Sequence, residues 1–111
     1  MQVDKSEVSS RVRRFAEKAG AAMPVRQVIL FGSYAHGSPH EFSDIDVAVI
    51  VEARVEDWLS ASAQLFRLRR DIDLAIEPVL IDSEEDPSGF LEEIRRTGEV
   101  IYDRDAEQAA A

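Results

Sequence analysis

Two apolar runs joined by a glycine-containing segment are the feature that most constrains this chain. Residues 25–31, VRQVILF, form a β-branched apolar run that predicts a buried strand, and Gly32 and Ser33 follow it directly. The next apolar run starts with Asp44 and Asp46 and then continues as an unbroken apolar stretch. The pattern predicts two neighbouring strands, with polar groups collected where the first ends and the second begins.

The junction after the first strand has the features of an anion-binding turn. A helix-compatible segment, Ser33-Tyr34-Ala35, follows Gly32. Free backbone N–H groups and the positive end of the helix dipole would face outward there. Gly32 would let a phosphate approach the backbone closely, and the Ser33 hydroxyl adds one more hydrogen-bond donor. The predicted ligand is a polyphosphate.

The acidic pair at the start of the second strand predicts a metal site. Side chains alternate along a strand, so Asp44 and Asp46 point to the same face. Two close carboxylates raise each other's pKa unless a cation lies between them. Because Mg²⁺ takes oxygen ligands from one or two carboxylates plus substrate phosphates, we predict that Asp44 and Asp46 bind Mg²⁺ together with a nucleotide.

The two signals are weak separately and specific in combination. A Gly-Ser after a strand is usually only a turn, and an Asp-X-Asp at a strand start is commonly a solvated edge. Gly32-Ser33, ten further residues and Asp44-Ile45-Asp46, however, resemble the signature of the minimal nucleotidyltransferases (MNT), a branch of the DNA polymerase β-like superfamily. The flanking string FGSYAHGSPHEFSDIDVAVIV and the later segment RTGEVIY are also similar to that family.

The resemblance implies the fold and the domain boundaries. It implies an α/β (α+β) class, with a small mixed β-sheet flanked by helices in a polymerase β-like nucleotidyltransferase fold. The expected nucleotidyltransferase domain spans residues 1–102. Residues 103–111 form an acidic, alanine-rich stretch that we expect to be a disordered tail.

The family carries a third carboxylate on a later strand, and the sequence offers two candidates for it. By period two, Asp73 and Glu77 lie on the same face of the stretch DLAIEPVLI. Glu77 has the apolar surroundings that resemble the family position, whereas Asp73 closes the preceding helix. We select Glu77 and keep Asp73 as the alternative, although a glutamate departs from the usual aspartate.

The resemblance also implies the chemistry. A hydroxyl would attack the α-phosphorus of a nucleoside triphosphate, ATP, and pyrophosphate would leave, so that AMP is transferred. Gly32 and Ser33 would hold the β- and γ-phosphates. Asp44, Asp46 and Glu77 would hold two Mg²⁺ ions, and Glu77 would also orient or deprotonate the hydroxyl. Catalysis of this kind depends mostly on positioning and electrostatics.

Size and charge limit the kinds of partner that this chain can bind. The chain of 111 residues has room for one modest core but little for an acceptor-binding domain, so we expect another protein to supply the acceptor. A net charge of −9 argues against direct nucleic-acid binding. The sequence has no cysteine, and no apolar run approaches the roughly 20 residues of a membrane span. The expected location is the cytoplasm, without membrane association.

The resemblance implies a partner of a definite kind. Small MNT proteins are often encoded with a HEPN-domain protein, and some act as antitoxins that transfer AMP to a tyrosine of this toxin. One alternative is an inactive nucleotidyltransferase fold that neutralises its partner by contact. Another is a small-molecule transferase similar to the aminoglycoside nucleotidyltransferases, for which a homodimer would have to build the acceptor pocket. The intact acidic pair favours the enzyme.

Apolar stripes at helical spacing predict the helices that cover the sheet. The expected order is α-β-α-β-α-β-α, followed by a short extended piece. Arg67, Arg69 and Arg70 are interpreted as a solvated helix face that pairs with nearby acids rather than as a triphosphate clamp. The stripes are Val8, Val12, Phe15, Ala19 and Ala22 in the first helix, Trp58, Ala61, Leu65, Leu68 and Ile72 in the second, and Phe90, Leu91 and Ile94 in a third.

Overall fold

A computed structural model of the chain describes residues 5–32, 44–52, 57–84 and 88–106. Helices and strands alternate along these residues, with a short 3₁₀ segment after the second helix. The elements are α1 (Lys5–Ala22), β1 (Val25–Phe31), β2 (Ile45–Val51), α2 (Trp58–Leu68), the 3₁₀ segment (Arg69–Asp71), β3 (Ile76–Asp82), α3 (Phe90–Thr97) and β4 (Glu99–Asp103).

The strands form one mixed sheet in the order β3-β2-β1-β4. Strand β1 runs antiparallel to both of its neighbours, β2 and β4, while β2 and β3 are parallel. The strands β2, β3 and β4 therefore all begin at the edge of the sheet where β1 ends. The predicted mixed sheet flanked by helices is confirmed. Its topology places the first residues of β2 beside the end of β1, and the first residues of β3 one strand further along.

Alternation along the central strands separates two apolar cores. On one face, α1 and α2 pack against the odd-numbered residues of β2, from Ile45 to Val51. On the other face, α3 packs against Ala48 and Ile50 through Leu91 and Ile94. Each fully buried side chain of this size contributes about 1.5–3 kcal/mol. Strand β2 is thus covered on both sides, which explains its continuous apolar sequence.

The predicted helical stripes are confirmed in their central parts. In α1, the predicted residues from Val8 to Ala19 are fully buried, whereas Ala22 at the end of the helix is exposed. In α2, Ala61 and Leu65 are buried. The helix ends at Leu68, so the expected helical conformation at Ile72 was wrong, although Leu68 and Ile72 both pack against the core as predicted. The described helices include none long and apolar enough to cross a membrane.

The fold continues beyond the expected boundary at residue 102. Strand β4 includes Asp103, and residues 104–106 form a helical turn. Arg104 forms an ion pair with Glu52, and Arg26 Nη2 lies 3.7 Å from Asp105 Oδ2. These contacts attach the first residues of the expected tail to the start of β1 and the end of β2. The rest of the tail, residues 107–111, and the helix expected directly after Gly32 lie outside the described residues.

Gly98 lets α3 turn tightly into β4. Its amide donates a hydrogen bond to the Ile94 carbonyl at 2.7 Å. A Cβ at this position would lie 2.7 Å from Ile29 Cγ2, 2.7 Å from the Ile94 carbonyl oxygen and 2.8 Å from the Leu30 carbonyl oxygen. Side chains larger than hydrogen therefore do not fit between α3 and β1 without displacing backbone.

We expect Gly98→Ala to lower the free energy of unfolding by roughly 1–3 kcal/mol, the usual cost of overpacking. Gly20→Ala is the matched control, because a Cβ at Gly20 in α1 first meets the Tyr102 hydroxyl at 3.6 Å. Helix propensity should make that variant more stable, by up to about 1 kcal/mol. Urea unfolding followed by Trp58 fluorescence measures both, and equal stabilities would contradict the packing role of Gly98.

Candidate active site

The predicted carboxylates meet at the edge of the sheet where β1 ends and β2 and β3 begin. Asp46 on β2 pairs in register with Phe31 on β1 and with Glu77 on β3. Directly paired residues on adjacent strands present their side chains on the same face. Asp44 immediately precedes β2, and its charge acts on Asp46. The structure therefore places Asp44, Asp46 and Glu77 at the same edge of the sheet, close enough for their charges to act on Asp46.

The end of β1 and the start of β2 approach each other closely at Gly32. Gly32 has a φ of 75°, a backbone conformation that residues with a side chain rarely adopt. A Cβ there would collide with Asp46 Oδ2 and would lie 3.1 Å from Asp46 Cγ. The absence of a side chain at Gly32 thus leaves the space that the Asp46 carboxylate fills, and any anion bound at this turn would lie beside that carboxylate.

The surroundings of Asp46 disfavour its charged form. Burial raises the pKa of Asp46, and the negative charges of Asp44 and Glu77 raise it further. Asp44 is exposed, whereas Asp46 and Glu77 are partly buried. Charge repulsion at the start of β2 therefore opposes ionisation, and a bound cation would relieve it.

The donor set fits a metal ion that shares its ligands with a nucleotide. Within residues 5–32, 44–52, 57–84 and 88–106, no three acidic, histidine or cysteine side chains converge closely enough to form a metal site from protein ligands alone. Mg²⁺ is usually bound by one or two carboxylates plus substrate phosphates and water. The Asp44–Asp46 pair beside Gly32 supplies that kind of half-site.

The two candidates for the third carboxylate are placed differently. Asp73 Oδ2 accepts a hydrogen bond from Arg11 Nη1 at 2.7 Å, and Asp73 Oδ1 accepts one from the Ala75 amide at 2.9 Å. Asp73 thus ties the connection before β3 to α1. Glu77 is the register partner of Asp46. The structure places Glu77, and not Asp73, beside the acidic pair. Ser33, the predicted phosphate ligand, lies outside the described residues.

Arg69 is a basic residue at this edge that was not predicted from the sequence. Arg69 Nη1 donates hydrogen bonds to the carbonyls of Leu74, at 2.9 Å, and Ile76, at 2.8 Å, and it lies 3.6 Å from Glu77 Oε1. The predicted solvent exposure is confirmed for Arg67 and Arg70 and was wrong for Arg69, which is partly buried. The predicted pairing with a nearby acid is confirmed for Arg69 by its ion pair with Glu77. The sequence pattern does not indicate this difference, because it depends on the tertiary contacts between the Arg69 guanidinium and the backbone at the start of β3.

An aromatic pair borders the carboxylates on the β1 side. Phe31 and Phe90 meet edge to face, with ring centroids 5.9 Å apart and an interplanar angle of 89°. Because Phe31 pairs in register with Asp46, this contact fixes the start of α3 next to the site. Phe90 remains 42% exposed, so the carboxylates have an apolar neighbour that is open to solvent.

The comparisons with known proteins agree with this architecture. The family model described as "Polymerase beta, Nucleotidyltransferase" matches residues 15–107, which is most of the chain. No curated protein gives a significant match to the sequence.

Several solved structures share the fold at low sequence identity. A Sulfolobus solfataricus protein provisionally assigned as a nucleotidyltransferase has a TM-score of 0.61 at 19% identity, covering 95% of this chain and 92% of its own. A toxin–antitoxin structure with AMP-PNP has a TM-score of 0.61 at 23% identity, covering 88% of this chain and 78% of its own. A complex of a tri-AMPylated Shewanella oneidensis HEPN toxin with an MNT antitoxin has a TM-score of 0.60 at 18% identity, covering 96% of this chain and 79% of the matched chain.

We expect Asp46→Asn to raise the free energy of unfolding at neutral pH. Because the pKa of Asp46 is raised in the folded state, the folded protein binds a proton more readily than the unfolded chain does. Stability contributed by this proton is present at low pH and is lost as the pH rises through the folded pKa. The gain from asparagine should therefore be largest at neutral pH and should shrink as the pH falls, as measured by urea unfolding in EDTA.

Asp103→Asn is the control for this prediction, because the chain has a net charge of −9 and any lost carboxylate reduces general repulsion. A hydrogen bond from Gln27 lowers the pKa of Asp103, so its charged form favours folding. We expect Asp103→Asn to lower stability at neutral pH. If both variants are stabilised equally, the effect of Asp46→Asn comes from net charge and not from the site.

Proposed function

Because the chain belongs to the polymerase β nucleotidyltransferase family, we propose that it is a Mg²⁺-dependent enzyme that transfers AMP from ATP to a hydroxyl group. The strand register is the observation that supports this most directly, since it sets Gly32, Asp46 and Glu77 side by side at one edge of the sheet. A turn suited to phosphate next to clustered carboxylates is the arrangement that nucleotidyl transfer requires.

The order of the strands suggests a direction for the reaction. Gly32 at the end of β1 lies on one side of Asp46, and Glu77 on β3 lies on the other. With Ser33, Gly32 would hold the β- and γ-phosphates, so pyrophosphate would leave on the β1 side. In-line displacement requires the attacking oxygen to approach from the opposite side of the α-phosphorus. The acceptor hydroxyl would therefore arrive on the β3 side, where Glu77 can orient it or accept its proton.

The carboxylates have a second proposed role as metal ligands. Asp44 and Asp46 would hold the ions that contact the phosphates, and Glu77 would complete the site for the second of two Mg²⁺ ions. Bound Mg²⁺ supplies neutralisation of the charge that develops on the transferred phosphoryl group. Holding the carboxylates in one place before the substrate binds is the contribution of the strand register, because it avoids reorganisation during the reaction.

We propose a HEPN-domain toxin as the acceptor protein, which makes this chain an antitoxin in the cytoplasm. The support is the shared fold with the MNT antitoxin that is bound to an AMPylated HEPN toxin, and with the complex that contains AMP-PNP. The net charge of −9 disfavours a nucleic-acid acceptor, because a phosphate backbone requires a basic surface.

Transfer of label from ATP tests this proposal. The purified chain, alone and with a HEPN-domain protein encoded beside it, is incubated with Mg²⁺ and ATP labelled at the α-phosphate. We expect label on the partner and a loss of at least about a hundredfold in the Asp44→Asn/Asp46→Asn variant. Asp103→Asn, at the opposite end of the sheet, is the control and should retain labelling. No label, with partner binding that survives the double substitution, would identify a binding module instead.

The third carboxylate is tested by a matched pair of substitutions. Glu77→Gln should lower the labelling rate by roughly a hundredfold or more, because Glu77 lies beside Asp46. Asp73→Asn should keep the rate within a few-fold while lowering thermal stability, because Asp73 is bonded to Arg11 and the Ala75 amide. The reverse order of rate losses would make Asp73 the third carboxylate.

A further inference from the structure

We propose that Arg69 is a positioning residue that holds Glu77 beside Asp46. This inference rests on the proposed function, because Glu77 is the carboxylate proposed to orient the acceptor hydroxyl. Arg69 was predicted on a solvated helix face. It lies in the 3₁₀ segment, and its guanidinium contacts the backbone at the start of β3.

The contacts of Arg69 fix the backbone that leads into Glu77. Its Nη1 donates to the Leu74 carbonyl at 2.9 Å and to the Ile76 carbonyl at 2.8 Å, and a guanidinium Nη carries two N–H groups. Both are therefore used by the backbone. The carbonyl of Ile76 belongs to the peptide unit that joins Ile76 to Glu77, so its orientation sets where the Glu77 side chain begins.

The charge of Arg69 then acts directly on the Glu77 carboxylate. Arg69 Nη1 and Glu77 Oε1 are 3.6 Å apart, which is an ion pair rather than a hydrogen bond. On the other side of Glu77 lies the Asp46 carboxylate, its register partner. A fixed cation on the β3 side offsets the repulsion between these two acids and keeps Glu77 from turning away into solvent.

Burial distinguishes Arg69 from the neighbouring arginines. Its side chain is 22% exposed, and its guanidinium carbon lies 4.8 Å from the centre of the Phe66 ring. Such stacking orients a guanidinium plane and reduces the entropy lost when its hydrogen bonds form. Arg67 and Arg70 are exposed. The 3₁₀ segment and Phe66 therefore hold one arginine of the three in a fixed position at the site.

A second arginine holds the same connection without contacting Glu77, and it provides a matched control. Arg11 Nη1 bonds to Asp73 Oδ2 at 2.7 Å, and Arg11 Nη2 bonds to Glu7 Oε1 at 2.6 Å. Arg11 and Arg69 thus both anchor the segment between α2 and β3. A purely structural role for Arg69 would make the two substitutions equivalent in the labelling reaction.

The first test compares Arg69→Gln with Arg11→Gln under saturating acceptor. Both should lower the melting temperature. We expect only Arg69→Gln to lower kcat, by about tenfold or more, with KM for ATP changed by no more than about twofold, because the nucleotide is proposed to bind on the β1 side. Arg69→Lys keeps a cation but not the planar fork, so it should lose less kcat. It also serves if Arg69→Gln does not fold.

The second test needs no enzymatic activity. Melting temperatures of the wild type, Arg69→Gln, Glu77→Gln and the double variant form a thermodynamic cycle. Arg69→Gln should lower the melting temperature of the Glu77→Gln variant by at least about 2 °C less than it lowers the melting temperature of the wild type. Additive shifts would overturn the proposal, as would a kcat loss no larger than that of Arg11→Gln. If the wild type labels no acceptor, the transferase function fails, and the cycle alone decides the role of Arg69.

Discussion

The pairing register of β2 with its two neighbours is the constraint on which the site depends. Side chains alternate along a strand, so a register shift of one residue would turn Asp46 towards the core under α1 and α2. The same shift would move Val47 out of that core. Val47 and Val49 are buried under α1 and α2, and Ala48 and Ile50 are buried under α3. Both cores therefore resist that shift. Apolar packing along β2 is what keeps Asp46 beside Glu77 against their mutual repulsion.

The site is costly to the fold, and the cost is confined to one edge. The charged form of Asp46 is disfavoured by burial and by its acidic neighbours, and Gly32 gives up a side chain so that the carboxylate fits. Functional sites commonly violate the local rules that stabilise a protein, while the rest of the structure offsets the loss. Here the compensation comes from the buried residues further along the same strands, where no charged side chain is buried among the described residues.

Sequence reasoning succeeded where the signal is local and failed where it is not. The strands around Gly32 and the Asp44–Asp46 pair follow from hydrophobic periodicity and turn chemistry, which act over a few residues. Glu77 and Asp73 satisfy the same period-two rule, and only the pairing of β2 with β3 separates their positions. Arg69 was misplaced because its partial burial depends on contacts with Phe66 and with the Leu74 and Ile76 carbonyls, which form only in the folded chain. Which residues bind phosphate, metal and acceptor remains a prediction.

The ion pairs at the C-terminal turn have a practical consequence for anyone who modifies this protein. Arg104 with Glu52, and Asp105 with Arg26, attach that turn where β1 begins and β2 ends, which is the edge of the sheet opposite the carboxylates. The start of helix α1 lies near the same edge as the carboxylates, because Ser6 lines a surface pocket with Glu99, the first residue of β4. A fluorophore attached at Ala106, an exposed residue of this turn, would therefore be separated from Gly32 and the acids by the body of the sheet.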